Sequence, residues 1–329
     1  MLKRGFMKAI AWTKYGDPDV LKLKEFKNPV PKNSEVLIKI HASTVTTGDV
    51  RLREIKVPRG FRFLTRLAFG LTKPRKKILG MDFSGVIESV GDDVTLFEKG
   101  DTVYGTTGAK LGANAEYICL PQKAAFIRRP NNVTHEQAVA VVFGGMTAIH
   151  FLRDSVKIQR GQKVLINGAS GAVGVAAIQI AKFFGAEITG ICSTSNIKLI
   201  ESIGANIAID YTNEDVSQNN QKYDVILDAV GNFSLAQFKN SLTEEGRLIL
   251  INADLLTILS SIFQSKLICG VAAESKEALE FLRERVEAGE FRAVIDKIYP
   301  LEQTAEAHRY VDTGRKKGNI VIVMDHEDA

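Results

Sequence analysis

Lys163-Val164-Leu165-Ile166-Asn167-Gly168-Ala169-Ser170-Gly171-Ala172-Val173-Gly174 decides the fold of this chain. Residues 163–166 read as a strand that runs straight into a glycine-rich turn. The turn runs into Val175-Ala176-Ala177-Ile178-Gln179-Ile180-Ala181-Lys182, a small-residue helical pattern. A strand, a tight turn and a helix N-terminus in that order build a phosphate cradle. Glycines let the backbone approach a pyrophosphate, and the free N–H groups and dipole of the helix favour its charge. Glycine spacing alone is a weak signal; the legible strand and helix supply the context the motif requires. Ala169, Ser170, Gly171, Ala172 and Val173 are therefore candidate contacts to a dinucleotide.

Downstream, strand and helix alternate. Residues 187–192, 208–209, 225–228 and 247–252 read as strands, and 172–184 and 196–203 as helices. This alternation implies a parallel sheet covered by helices. An amphipathic helix at 275–288 is followed by a strand at 295–300, a helix at 303–312 and a strand at 319–324. Upstream, the first 120 residues are mainly short strands and turns, with strands at 36–42, 82–91, 100–105 and 115–121. That style suggests a compact, partly closed β domain. Thr134-His135-Glu136-Gln137 marks the change of rhythm, with Thr134 as N-cap and Gln137 at the third helical position.

A chain of 329 residues accommodates two domains, each with its own core. The apolar fraction of 45% and charged fraction of 25% fit a globular enzyme. A net charge of +5 suits an anionic ligand without demanding nucleic acid. Cys119, Cys192 and Cys269 form no CxxC pair, against a zinc ribbon and a disulfide scaffold. No run has the length of a membrane span, and Met1 to Phe6 is too short for a signal peptide, with Met7 as an alternative start. A cytoplasmic location is the expectation.

Over nearly its whole length the chain resembles the medium-chain dehydrogenase/reductases, and most of all their zinc-free quinone-oxidoreductase-like branch. Within it, the chain is similar to the plastid-envelope and mitochondrial reticulon-interacting members. The matching residues are Met7-Lys8-Ala9-Ile10, Tyr15-Gly16, Asp19-Val20-Leu21, Leu79-Gly80-Met81-Asp82-Phe83-Ser84-Gly85-Val86-Ile87, Gly100-Asp101-Thr102-Val103-Tyr104-Gly105, Gly145-Met146-Thr147-Ala148, the 168–174 turn and Ile209-Asp210-Tyr211. The resemblance implies an α/β fold: a Rossmann cofactor domain with a doubly wound parallel sheet, plus a partly closed, GroES-like β-barrel catalytic domain. It further implies a discontinuous catalytic domain, residues 1–124 and 293–329, around a dinucleotide-binding domain at 125–292, with the site in the cleft between them.

What is missing bears on the chemistry. Zinc members of this family hold their metal with a Cys, a His-Glu pair and a later Cys or Asp. Here the first loop reads Ser43-Thr44-Val45-Thr46-Thr47-Gly48-Asp49, without a Cys, and the His-Glu site reads Met81-Asp82. The five histidines (41, 135, 150, 308, 326) show no ligand spacing. No metal site is expected. Without a Lewis acid, a simple alcohol loses the group that would stabilise its alkoxide. Quinones and α,β-unsaturated carbonyls, whose conjugation spreads the incoming charge, suit such a site better.

NAD sites usually place a carboxylate at the end of the second strand. That strand here ends Cys192-Ser193-Thr194-Ser195-Asn196, with hydroxyls at a helix N-terminus. NADPH is the expected cofactor, with Ser193, Thr194 and Lys198 toward its 2′-phosphate, and Tyr211 resembles the family's tyrosine near that phosphate. Thr147 resembles the residue touching the nicotinamide, and Val230 follows the 225–228 strand on the cofactor side. Lys198 also reads as a solvated helix charge, and the hydroxyl run as simple capping.

Thr46 and Arg51 are the candidate catalytic residues. Many relatives carry Asn at the first position and Tyr at the second. Thr46 offers a hydrogen bond to a carbonyl or to the ribose. Arg51 reads either as a carbonyl-polarising group or as a surface charge. Asp49 is expected to tie its loop, and Tyr104 either lines the cleft or packs in a strand. Residues 55–77 carry eight basic residues, no acidic one, and interleaved Phe and Leu. A lid over the cleft with its apolar side inward is the favoured reading. A membrane-surface patch is the second, and nucleic acid is disfavoured because no recognisable module surrounds it.

The leading functional expectation is NADPH-dependent hydride transfer to a quinone or conjugated carbonyl. The alternatives are a non-enzymatic NADPH-binding protein that regulates a partner, and a zinc-free alcohol dehydrogenase. A homodimer is expected; the apolar stretch at 255–268 reads as a pairing edge or as a buried helix.

Overall fold

The strand that opens the glycine turn lies inside a parallel sheet of six strands. Their spatial order is Ile207–Asp210, Glu187–Cys192, Lys163–Asn167, Tyr223–Asp228, Leu242–Leu250 and Leu267–Cys269. The computed structural model describes residues 5–214, 216 and 221–326, and counts of elements refer to these; the opening residues 1–4 lie outside them. Val164, Leu165 and Ile166 are fully buried because helices cover both faces of the sheet. Alternation sorts them. Val164 and Ile166 join a core with Ala176, Ala177, Ile180 and Leu282, while Leu165 joins Ile226, Phe238 and Leu248 on the other face. Helix Ala172–Phe183 follows the turn directly.

A second sheet of seven strands combines both ends of the chain. Ile295–Pro300 and Asn319–Val323 pair in parallel, and Asn319–Val323 then pairs antiparallel with Glu35–Thr44. Asp82–Val90, Thr102–Thr106 and Phe126–Arg128 continue the sheet. Along one edge, Glu35–Thr44 pairs Lys39 with Tyr117 and Thr44 with Val321. A strand that changes partner midway bends its sheet toward a barrel. Close approach at the bend needs a glycine: a Cβ on Gly85 would stand 2.2 Å from the Lys39 carbonyl oxygen. A hairpin of Phe6–Trp12 and Leu21–Lys27 packs nearby, bridged to the sheet region at Ala9–Ala115 and Ala11–Ile78.

Local expectations hold at the caps. Thr134 accepts from the Gln137 N–H, and the Gln137 side chain accepts from the Thr134 N–H, forming a capping box. Two expectations are resolved by long-range contacts. Tyr104 is fully buried and donates to the Leu279 carbonyl at 2.7 Å, so it packs between the two halves and does not line the cleft. The apolar stretch after Asp254 forms helix Leu255–Ser261 with no buried residue, followed by the edge strand Leu267–Cys269. No helix among the described residues is long and apolar enough to cross a membrane.

Candidate active site

Gly168 adopts φ +76°, a left-handed conformation that an L side chain rarely tolerates. A Cβ on Gly174 would stand 2.2 Å from the Gly168 carbonyl oxygen. The turn is thus held tight, and Gly171 at the helix N-cap offers no side chain to the first-turn N–H groups. Asn196 donates to Ser170 Oγ and Ser193 Oγ, both at 3.1 Å, and links the turn to the end of the next strand. Its Oδ1 is buried without a partner. Uncapped N–H groups, close backbone approach and an unpaired acceptor fit a phosphorylated, hydroxyl-bearing dinucleotide.

The opposite wall is built around Asp228. Its buried carboxylate accepts from the N–H groups of Val230, Gly231 and Phe233 and from Asn167 Nδ2. This holds Val230 half-exposed over Gly168. Between the two sheets runs a cleft of about 1930 Å³. Small-ligand pockets are typically ~300–1,000 Å³, so a dinucleotide and a second molecule can share it.

Ser170, Gly171, Ala172, Val173, Ser193, Tyr211, Val230, Thr147 and Arg51 all line this cleft. Ala169 does not; it is buried behind the turn and donates to the Ile191 carbonyl. Lys198 is exposed on helix Ile197–Ile203, away from the cleft lining. Thr194 is also off the lining, because its hydroxyl donates to Asp210. Asp210 also accepts from Thr212 and Asn213, and the hydrogen bonds from Thr194 and then Thr212 hold its carboxyl below the usual range.

Thr46 is 4% exposed and its hydroxyl is fully engaged. It donates to Asp49 Oδ2 at 2.7 Å and accepts from the Asp49 N–H at 3.2 Å, capping helix Thr47–Glu54. Its neighbours Thr47 and Gly48 line the cleft in its place. Arg51, one turn on, reaches across the cleft and donates to Asn252 Oδ1. Asn252 in turn donates to the Ala229 carbonyl at 2.9 Å, tying Arg51 to the cofactor-side loop. Burial lowers the Arg51 pKa from its ordinary value, though an arginine keeps its charge at neutral pH.

At the positions where zinc relatives carry His-Glu stand Met81 and Asp82, both on the cleft. Asp82 is 2% exposed and accepts from Thr44 Oγ1 at 3.0 Å. Burial and then the nearby Asp49 charge push its pKa up to about 7. A hydroxyl already spent on a cap, a thioether and a carboxyl that resists ionisation are a poor donor set for zinc.

Two features escape a reading of the chain by segments. Arg315, Lys316 and Lys317 line the same cleft, because the Gly318 N–H donates to the Ser170 carbonyl at 2.7 Å. Their signal is only a short basic run before a strand. Histidines 41, 135 and 326 also meet: His41 stacks on His135 at 4.6 Å and meets His326 at 5.0 Å. Burial pulls His41 and His135 down to about 4, so they stay neutral at pH 7. Among the described residues, no group of three or more His, Cys, Asp or Glu side chains is arranged to hold a metal.

Comparison with known proteins places this geometry. Residues 32–131 match the alcohol dehydrogenase GroES-like domain, and residues 203–322 match a domain described as zinc-binding dehydrogenase. Human quinone oxidoreductase is 30% identical over 340 residues, covering 97% of this chain and 98% of the human protein. The chain belongs to the quinone-oxidoreductase-like branch of the medium-chain dehydrogenase/reductases. The NADPH-dependent alkenal/one oxidoreductase of Arabidopsis thaliana chloroplasts is 29% identical over 328 residues, covering 96% of this chain and 79% of that protein. The solved quinone oxidoreductase of Coxiella burnetii superposes with a TM-score of 0.86 at 28% identity, covering 97% of this chain and all of that one. Medium-chain dehydrogenase/reductases are oxidoreductases that use a nicotinamide cofactor, which accounts for the glycine turn and the size of the cleft.

Proposed function

We propose that the chain transfers hydride from NADPH to a quinone or an α,β-unsaturated carbonyl without a metal. One observation carries the reading: the cleft that holds the glycine turn is also lined by Arg51, Phe61, Phe69 and Met81, and Met81 stands at the position where a zinc relative carries its histidine. The reduced nicotinamide, when bound, supplies the hydride. The protein's residues position, polarise and exclude water. Phe61, Phe69 and Met81 provide an apolar seat for a conjugated acceptor. Arg51, steadied by Asn252, offers a charged donor to the acceptor oxygen as negative charge develops there. The names of the human and Arabidopsis relatives point to the same acceptors.

We assign cofactor contacts to Ser170, Gly171, Ala172 and Val173 at the turn, Ser193 and Tyr211 at the adenosine end, and Thr147 and Val230 at the nicotinamide end. Preference for NADPH rests on the hydroxyls of Ser193 and Ser195 and on Arg315, Lys316 and Lys317. On this reading residues 1–124 and 293–329 form the acceptor-binding unit, and 125–292 the cofactor unit. Two copies pair through the edge strand Leu267–Cys269, where Phe263 and Val271 are nine-tenths exposed. The cytoplasmic location is also part of this proposal.

An acceptor screen at fixed NADPH, repeated with NADH and after chelator treatment, tests the reading. Chelator-insensitive turnover of quinones or enals with NADPH supports it. No NADPH oxidation across the panel sinks it, and equal efficiency with NADH removes the cofactor assignment.

A further inference from the structure

Helix Arg62–Phe69 buries none of its residues. Its two sides differ. Thr65 and Phe69, four apart and on one face, line the cleft together with Phe61, Val57 and Pro58. Phe63, Leu64 and Leu67 lie on the other side and face solvent, 68%, 47% and 50% exposed. Leu71, past the Gly70 C-cap, adds a fourth apolar side chain at 52%. The favoured lid reading therefore accounts for one side of the segment and leaves the outer side bare.

That outer side is not exposed through loose packing. Tyr15 Oη donates to the Gly70 carbonyl at 2.7 Å, and the Arg66 guanidinium lies over the Tyr15 ring at 5.5 Å. The Arg75 N–H donates to the Phe69 carbonyl at 2.7 Å, and the Leu255 N–H to the Arg59 carbonyl at 3.0 Å. These contacts hold the helix by its ends and its inner side.

The charge around it has one sign. Residues 55–77 contain no Asp or Glu. Among the described residues, Arg62, Lys73, Arg75, Lys76 and Lys77 are exposed and make no ion pair. The one lysine of the segment that is paired is Lys56, on Glu54. An apolar face flanked along the chain by unpaired cations, with Arg62 on the helix and the Arg75 backbone against its C-terminal end, matches a surface that is anionic outside and hydrocarbon just beneath.

We infer that the outer face of helix Arg62–Phe69, with Leu71 and the cations from Arg62 to Lys77, docks on an anionic lipid bilayer. Phe63, Leu64, Leu67 and Leu71 enter the headgroup–acyl boundary, and the lysines and arginines stay at headgroup level. The docking does not depend on which acceptor the cleft takes.

The test is flotation of the full-length protein with vesicles of phosphatidylcholine alone and of phosphatidylcholine mixed with phosphatidylglycerol, at low and high salt. Binding to the mixed vesicles is expected to exceed binding to the neutral ones at least ~10-fold and to fall with salt. The double variant Phe63→Ser/Leu67→Ser and the double variant Lys76→Glu/Lys77→Glu should each lose ~10-fold or more. Both should keep the parent's thermal melting midpoint, because these side chains are exposed. Absent binding, salt-independent binding to neutral vesicles, or parent-like binding by both variants overturns the inference. Conversion of a dimer to a monomer by Phe63→Ser/Leu67→Ser, read by analytical ultracentrifugation, assigns the face to a second copy and also overturns it. Binding to RNA without binding to vesicles does the same.

Discussion

The backbone N–H of Gly318 donates to the carbonyl of Ser170 at 2.7 Å. This contact fastens the entry to the last strand onto the phosphate turn and carries Lys316 to the cleft. Lys316 Nζ donates to the Gly318 carbonyl at 2.7 Å, and burial lowers its pKa to about 8. It is therefore mostly charged at pH 7 and loses that charge as pH rises through 8. Affinity for NADPH should fall across this window, while Lys316→Met should bind ~10-fold more weakly at pH 7 and show little further loss. Fluorescence titration of NADPH from pH 7 to pH 9 checks this; a parallel pH response in the variant would remove Lys316 from the account.

Ser193 stands where NAD sites place a carboxylate. Ser193→Asp puts a negative charge beside the 2′ position. NADPH affinity should drop ~10-fold or more, with a much smaller change for NADH. Dissociation constants for both cofactors decide the matter, and an equal loss for the two would count against the assignment.

Arg51 is held across the cleft by Asn252. Arg51→Met removes the donor itself, and charge-assisted hydrogen bonds are worth about 1.5–3 kcal/mol. Acceptor kcat/KM should fall roughly 10- to 100-fold, with NADPH affinity nearly unchanged. Asn252→Ala leaves the arginine present but unsteadied, so its loss should be smaller and sit mainly in kcat. Unaltered kinetics in Arg51→Met would return this side chain to the status of a surface charge.

Asp82 has a pKa raised to about 7 by burial and by Asp49, above the usual carboxylate range. The folded state holds this proton more tightly than the unfolded chain. The stabilisation is complete at low pH and is lost as pH rises from about 4 through about 7. Asp82→Asn is neutral throughout. It should gain on the parent by about 1.4 kcal/mol per pH unit at most within that window. Denaturant midpoints for both proteins at pH 5 and pH 8 measure the difference, and a pH-independent gap would refute it.

Much of this site was legible because its signals are local. A strand, Gly168 and a small-residue helix announce the phosphate turn within the twenty residues from Lys163 to Lys182. The Thr134–Gln137 capping box marks a helix start within four. Thr46 misled for a related reason: its residue type suits a hydrogen bond to substrate, but Asp49, three residues on, takes the hydroxyl for a helix cap. Lys198 lies at the expected place along the chain, yet the helical phase turns it to solvent. The roles of Lys316 and Asn252 were not legible. Lys316 meets the turn through the Gly318–Ser170 contact and Asn252 meets Arg51, pairings of segments more than a hundred residues apart that no periodicity encodes. The outer face of the 55–77 segment was half-read, since composition shows that Phe, Leu and Arg are interleaved but not which of them face the cleft.

Metal-free hydride transfer is tested by following the hydride itself. The chelator-treated enzyme is supplied with NADPH deuterated at the transferable position of the nicotinamide and with an α,β-unsaturated ketone, and the product is read by mass spectrometry and NMR. The expected product is a saturated ketone carrying one deuterium at its β-carbon, formed at the same rate with and without chelator. A product without deuterium, or turnover that stops when metal is removed, would contradict it.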